Sequence, residues 1–347
     1  MGQSTLTGPL EAVQLVLRAP RRVVLKRQPL APPEAGQVEV ETAVSGISAG
    51  TEMLIYRGLA PRGLPADDVL PALSGRLTFP LRYGYACVGR VAGLGPGVAE
   101  SWLGRRAFAF HPHASRFVIP VSDLLPVPDE VSNDQAVLLP QVETALSLVH
   151  DGAPIAGEDI VVFGQGVVGL LAAFLLARIP LARLVTFDRF PRRRGLSLGL
   201  GAQVSLDPGR ANAMDQARAV LGAQGADLAF ELSGDPAALE AALALTGFSG
   251  RVVIGSWYGR KRADLDLGGA FHRSRIRLVS SQVSRIDPAL SGRWDKARRF
   301  EAAWRLLQEV HPENWITHRI PFDRASRAFQ LLDRRPGEAL QVILTYG

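Results

Sequence analysis

Hydrophobic positions in the first 140 or so residues come in short runs that are apolar throughout or alternate with polar residues, at 13–17, 23–26, 38–44, 86–92, 107–110 and 117–120. Such runs mark strands, and Pro32-Pro33, Gly36 and the glycine-rich stretch 93–97 separate them. No helix longer than about two turns is expected before Asp134. From Ser132 the period lengthens to that of a helix over 132–150, with Ser132 or Asn133 as its cap. Strands at 160–163, 184–188, 204–206, 228–232, 252–255 and 276–280 then alternate with helices such as 167–179 and 237–246. A long helix at 294–308 follows, then a tail with a helix near 325–333 and an apolar strand at 341–345. Strand–helix alternation predicts βαβ units and a parallel sheet covered on both faces. The fold class is therefore α/β. A β-rich domain is expected at 1–143, completed by 286–347, and a doubly wound Rossmann domain at 144–285.

Composition narrows the class. With 347 residues, 47% of them hydrophobic and 21% charged, the chain has material for two cores and no long polar tract. The stretch 160–177 is uncharged and long enough to suggest a membrane span, but Gly164, Gln165, Gly166 and Gly169 break it into a strand and a helix. The first residues lack the basic-then-apolar order of a secretory signal. Cys87 is the only cysteine, so no disulfide forms within the chain and a cysteine-rich zinc site is excluded. A reducing, cytoplasmic setting is expected. The formal charge of +6 comes almost entirely from arginine, with Lys only at 26, 261 and 296. The arginines are scattered over expected helices and turns without interleaved aromatics, so neither nucleic acid nor membrane is an expected partner. A small-molecule substrate is.

The sharpest chemical signal is Gly164-Gln165-Gly166-Val167-Val168-Gly169. A strand runs into this G-x-G-x-x-G and a helix leaves it, the context a dinucleotide site needs. The first glycine makes the tight turn, the second lets the backbone approach a pyrophosphate, and the third lets helix and strand pack closely. The helix start then offers free N–H groups to the phosphates. Asp188 closes the next strand, 24 residues after Gly164. An acid there accepts hydrogen bonds from adenosine ribose hydroxyls and repels a 2′-phosphate, which favours NAD. Arg189, Arg192, Arg193 and Arg194 follow directly and offer partners for that phosphate, so NADP stays open.

This order of parts, β-rich first and nucleotide-binding second, resembles the medium-chain dehydrogenase/reductase superfamily along essentially the whole chain. Gly46-Ile47-Ser48-Ala49-Gly50-Thr51-Glu52 looks like the family's GIC-x-TD segment, and Gly84-Tyr85-Ala86-Cys87-Val88-Gly89-Arg90-Val91 like its GHE-x-x-G-x-V segment. Leu200-Gly201-Ala202, Phe230-Glu231-Leu232-Ser233-Gly234 and Gly250-Arg251-Val252-Val253-Ile254-Gly255 match later landmarks. The S-G-I-S-x-G-T-E variant resembles the zinc-lacking branch that includes bacteriochlorophyllide hydroxyethyl dehydrogenase. The resemblance implies a GroES-like catalytic domain beside the Rossmann domain, a homodimer, and Ser233 and Gly255 within the cofactor site. It also implies that Thr144 lies beside the nicotinamide.

The departures from the family are chemical. Its catalytic zinc is held by the Cys of GIC, the His of GHE and a later Cys or acid. Here Ser48 and Tyr85 stand at the first two places, and no Cys stands near Pro140-Gln141. The acid after the His is Ala86, and the four-cysteine structural zinc lobe is missing. Hydroxyls are poor zinc ligands, so no zinc is expected. His111 and His113 form an H-x-H pair, read as pocket or core residues rather than as a metal site.

Without a metal, hydrogen-bond donors must polarise the substrate carbonyl. The resemblance puts Ser48, Thr51 and Tyr85 in the substrate pocket. Tyr85 would exchange the proton if a neighbour lowered its pKa; otherwise it only fills the space of the metal. Glu52 matches the family's Asp of TD, supporting the substrate site, and His113 is a candidate proton shuttle. Ser281, Gln282 and Arg285 are expected to line the cleft at a strand's carboxyl end, with Arg273 or Arg285 holding an acidic substrate group. The leading reading is a zinc-independent NAD(P)-dependent dehydrogenase or ketone reductase acting on a secondary alcohol, including one on a bulky ring system. The alternatives are an NADPH-dependent enone or quinone reductase and a non-catalytic NAD(H)-binding sensor.

Overall fold

The structure, a computed structural model, describes residues 10–67 and 69–347. Residues 1–9, where the segment read for a secretory signal begins, lie outside the described residues. The chain divides into two compact units, Met1–Leu138 with His311–Gly347, and Leu139–Val310. The first unit carries β1 (Glu11–Ala19), β2 (Arg22–Pro29), β3 (Gln37–Ile47), β4 (Cys87–Leu94), β5 (Arg106–Ala109), β6 (Arg116–Pro120) and β7 (Leu124–Pro126). The second carries β8 (Asp159–Phe163), β9 (Arg183–Phe187), β10 (Val204–Leu206), β11 (Ala226–Glu231), β12 (Thr246–Ile254) and β13 (Arg277–Ser280). The chain then returns to the first unit for β14 (Ile316–Pro321) and β15 (Gln341–Thr345).

In the first unit β1 and β2 form an antiparallel hairpin, and a larger sheet runs β14-β15-β3-β4-β5-β7 with β6 also paired to β3. Only β14 and β15 pair in parallel there. Two cores follow from the alternation. One gathers Leu15, Leu17, Ile47, Met53 and Phe329; the other gathers Val38, Val40, Val91 and Phe117. The short helix Thr51–Tyr56 leaves the end of β3 and buries every residue after Thr51.

The expected helix over 132–150 is broken into Asn133–Ala136 and Leu139–Gly152. Pro140 lacks an N–H and cannot continue the first helix's hydrogen bonding, so a new helix starts around it. Ser132 is the cap of the first piece: its hydroxyl accepts from Gln135 N, and the Gln135 side chain accepts from Ser132 N.

In the second unit six parallel strands run β10-β9-β8-β11-β12-β13. Counted from β8 this is the 3-2-1-4-5-6 order of the doubly wound dinucleotide fold. Successive residues serve opposite faces. Val161, Phe163, Val185 and Phe187 belong to one core, and Ile160, Val162, Leu184 and Phe230 to the other. The architecture is thus α/β, with an antiparallel-dominated β-rich unit and a Rossmann unit. Helices Pro191–Gly199 and Ala213–Leu221 lie between successive strands, where the alternation puts helices. Both are short, and the first reads as a basic run.

Helix Lys296–Val310 belongs with the nucleotide-binding unit, as do residues 139–143 and 286–295, although the expected boundaries put them with the β-rich domain. The reason is a buried ion pair. Arg299, 1% exposed, donates from Nε and Nη2 to Glu143 Oε1 and from Nη1 to Ser147 Oγ, tying helix Lys296–Val310 to helix Leu139–Gly152. No helix among the described residues is long and apolar enough to cross a membrane.

Candidate functional site

The end of β8 builds the first half of the chemistry. Gly164 has φ +91°, and a Cβ there would stand 2.7 Å from the backbone of Ser233, so only glycine permits the turn. A Cβ on Gly169 would stand 1.9 Å from Gly164 O, so the helix that follows can pack this closely only without a side chain. Gly166, the cap of helix Val167–Leu176, is different: a Cβ there meets nothing within 4 Å. Two glycines are demanded by the fold, and the third faces space that a ligand can use. Val167 and Val168 open the helix, with Val167 buried. Gln165 turns inward, fully buried, its Nε2 donating to Gly164 O.

Asp188 lies just beyond β9 and is 7% exposed. Its Oδ2 accepts from Gln165 N at 2.8 Å and its Oδ1 from Phe190 N at 2.8 Å, so the carboxylate joins the glycine turn to the next loop. Arg193 Nη1 stands 3.8 Å from Asp188 Oδ2, and its guanidinium lies 4.7 Å from the Phe190 ring centre. Burial lowers the Arg193 pKa from its usual value, opposed by Asp188. Arg189 also reaches over Phe190, at 6.0 Å. Arg194 is bound to the carbonyls of Asp188 and Arg189 and to Asp207.

The turn after β11 is fastened by Glu231, a wholly buried carboxylate that sequence reasoning had not assigned to the site. Its Oε1 accepts from Ser233 N, Ser233 Oγ and Gly234 N, and its Oε2 from Tyr258 OH at 2.5 Å. Ser233 thus holds the turn's shape. Gly255 has a packing role: a Cβ there would lie 2.4 Å from Leu148 Cδ2. Thr144 donates its hydroxyl to Pro140 O at 2.7 Å, inside its own helix, which leaves only its lone pairs for a ligand. Ser281 follows the carboxyl end of β13, where its hydroxyl is engaged by Asp151 Oδ2 at 2.5 Å. Gln282 bonds Ser284 in both directions, and Arg285 and Arg273 are exposed.

A cluster of hydroxyl, carboxylate and imidazole side chains lies in the β-rich unit. At the end of β3, Ser48 Oγ accepts from Thr51 N and the Glu52 carboxylate returns to Ser48 N at 2.8 Å. This reciprocal arrangement is like a capping box with the acid one residue later. Tyr85 approaches from the segment before β4, and the nearby Ser48 and Thr51 side chains favour the ionised form of its phenol. Burial nevertheless pushes the Tyr85 pKa up to about 12, against the two hydroxyls. The sequence expectation made proton exchange conditional on a neighbour lowering that pKa. The net shift is upward, so at neutral pH Tyr85 is a proton donor and not a base.

Glu52 and His113 lie behind this cluster, 1% and 0% exposed. His113 Nε2 is 2.8 Å from Glu52 Oε2, its Nδ1 is 2.7 Å from Ser45 Oγ, and Ser45 Oγ is 2.8 Å from Tyr346 OH. An ionised Glu52 only accepts, so Nε2–H donates to it. In a neutral ring, Nδ1 then accepts from Ser45 and Ser45 from Tyr346. Both ring nitrogens are engaged and enclosed, and His113 is linked to Ser48 through Glu52. Gly84, at φ +118°, is the glycine against which the His113 ring packs: a Cβ would stand 2.7 Å from it. His111 stacks on Phe117 at 3.9 Å with its Nδ1 on Pro112 O, and burial lowers its pKa to about 3. Ser45 and Tyr346 carried no signal in the sequence, because they meet only in the folded sheet.

The donor set does not fit a zinc ion. Among the described residues no three His, Cys, Asp or Glu side chains gather as a metal cluster. Ser48 and Tyr85 offer neutral hydroxyls, the phenol is harder to ionise than in water, and both Glu52 oxygens are occupied.

Residues 167–307 match a family model described as zinc-binding dehydrogenase. That match lies inside the nucleotide-binding unit and includes neither Ser48 nor Tyr85. The chain is 23% identical to D-guloside 3-dehydrogenase of Escherichia coli strain K12, covering 96% of this chain and 99% of that one. It is 28% identical to (R,R)-butanediol dehydrogenase of Bacillus subtilis strain 168, covering 64% and 70%. A short chain alcohol dehydrogenase from Escherichia coli CFT073, solved with NADH, superposes with a TM-score of 0.78 at 18% identity, covering 96% of this chain and 99% of that one.

Proposed function

From the premise that this chain belongs to the medium-chain dehydrogenase/reductase superfamily, we propose that it transfers a hydride between NAD(P) and a secondary alcohol or its ketone without zinc. The observation that carries the reading is the glycine turn: two positions where a methyl would strike backbone, and a third, Gly166, that opens onto free space at a helix start. NAD is the preferred form, because a buried carboxylate just beyond β9, Asp188, repels a 2′-phosphate.

In the β-rich unit Tyr85, Ser48 and Thr51 supply the hydrogen bonds to the substrate oxygen that a metal would otherwise supply. Tyr85 donates its proton to the oxygen as a ketone is reduced. In the reverse direction the proton leaves by way of the hydroxyls of Ser48 and Thr51. Glu52 and His113 hold Ser48 in place.

The substrate class follows the relatives' names. D-guloside 3-dehydrogenase is named for position 3 of a sugar derivative and (R,R)-butanediol dehydrogenase for a vicinal diol. We therefore assign a secondary alcohol on a polyhydroxylated skeleton, with a ring-borne hydroxyl as the favoured form. A homodimer, from the family resemblance, and a cytoplasmic setting, from the single cysteine, remain part of the reading. The test is NADH and NADPH formation with methyl glycosides, sugar alcohols and 2,3-butanediol. Turnover with NAD is expected. Turnover of quinones or enones alone, with NADPH, would replace the reading by the reductase alternative, and NADH binding without any turnover would replace it by the sensor.

A further inference from the structure

Helix Leu139–Gly152 is threaded so that its start projects beyond the carboxyl ends of the nucleotide-binding sheet. At its C-terminal end, a Cβ on Gly152 would touch the Phe230 ring and Leu228, in the body of β11. One turn earlier, Leu148 packs on Gly255, just past the end of β12, within reach of Leu232 just past the end of β11. The helix therefore runs antiparallel to the strands. At 1.5 Å per residue, Gln141 lies about 10 Å further along the axis than Leu148. That is the side of a doubly wound sheet on which ligands bind.

Gln141, Thr144 and Leu148 share one face of this helix, spaced i, i+3 and i+7. Glu143 and Ser147 lie on a different face, taken by Arg299. Gln141 is 7% exposed, and its side-chain Oε1 is buried without a hydrogen-bond partner. Leaving such an acceptor unmet costs about 1–3 kcal/mol. Its unmet need is for a donor, and Lys296 and Arg299, the cations bonded to this helix, are spent on Glu143.

We propose that Gln141 is a substrate-binding residue whose side-chain carbonyl accepts a hydrogen bond from a hydroxyl next to the reacting carbon. The proposal rests on the dehydrogenase reading above and deepens it, because it makes the enzyme selective for a diol or polyol over a simple alcohol. A pocket that hydrogen-bonds a substrate hydroxyl rejects the analogue lacking it, since the buried acceptor is then left unpaired.

The experiment compares kcat/KM for 2,3-butanediol and 2-butanol in the wild type, Gln141→Met and Gln141→Glu, with NADH affinity and Tm measured alongside. The wild type is expected to favour the diol, and Gln141→Met to lose about ten- to a hundred-fold of that preference. Gln141→Glu, which keeps an acceptor, is expected to retain most of it, and NADH affinity should not change. An active Gln141→Met enzyme with undiminished diol preference overturns the contact and leaves the dehydrogenase reading standing. So does a loss confined to NADH affinity, which would move the contact to the cofactor. A wild type that binds NADH and oxidises neither alcohol nor any glycoside overturns both.

Discussion

The glycine turn of the nucleotide-binding unit and the hydroxyl cluster of the β-rich unit are held by different forces. At the turn, backbone lies against backbone: Gly164 against Ser233 and Gly169 against Gly164 O. In the cluster, side chains from six separate stretches meet: Ser45, the segment 48–52, Gly84-Tyr85, Cys87, His111–His113 and Tyr346. A single methyl is enough to break the first. The second loses function one group at a time, because each side chain has its own support. A catalytic centre can therefore exchange its chemistry while a nucleotide-binding turn keeps its form, and the proposed roles of Ser48 and Tyr85 in place of metal ligands are such an exchange.

Three experiments break or sharpen this contrast. The largest effect is expected for Tyr85→Phe, which removes the proton donor and keeps the ring. kcat should fall by about 10²- to 10⁴-fold with NADH affinity unchanged. Because burial raises the phenol pKa to about 12, no tyrosine ionisation should shape the wild-type rate profile below about pH 11. A kcat within a few-fold of wild type would reduce Tyr85 to a space filler.

Next come two substitutions in one motif. Gly169→Ala forces a Cβ onto Gly164 O and should weaken NADH binding by about a hundred-fold or more, while destabilising the fold by about 1–3 kcal/mol. Gly166→Ala has open space and should leave the stability within about 0.5 kcal/mol, yet still weaken NADH. Calorimetric titration and denaturant unfolding separate the two effects. Equal destabilisation by both variants would mean that the turn is not divided into packing and ligand-facing glycines.

The smallest effect concerns acid. Burial holds His111 neutral, with a pKa near 3 against about 6.5 in an unfolded chain. Below pH 6.5 the unfolded state takes up a proton that the folded state refuses. Stability on this account is full above pH 6.5 and is lost as pH falls toward 3. His111→Gln should flatten that part of the stability profile. An unchanged slope would transfer the acid sensitivity to other groups.

Much of this was legible in the sequence where it depends on neighbours along the chain. The strand–turn–helix around Gly164, the strand ending at Asp188 and the sheet that holds them follow from periodicity and glycine spacing within one βαβ unit. The helix over 132–150 was misjudged at Pro140, because its amphipathic period carries through the break. The Glu52–His113–Ser45–Tyr346 chain was invisible, since pairing β15 with β3 brings residues 45 and 346 together. Helix Lys296–Val310 was read as part of the β-rich domain because no local signal shows that Arg299 is paired with Glu143. Removing that partner by Arg299→Ala leaves Glu143 with Lys296 alone, so the cost should fall below the about 3–5 kcal/mol typical of a buried carboxylate stripped of every partner.

The most direct test of hydride transfer without zinc is alcohol turnover by the purified protein after exhaustive chelation, with bound metal quantified in the same sample. NAD-dependent oxidation of a glycoside or vicinal diol is expected to persist with far less than one zinc per chain. Activity lost on chelation and restored by stoichiometric zinc would contradict it.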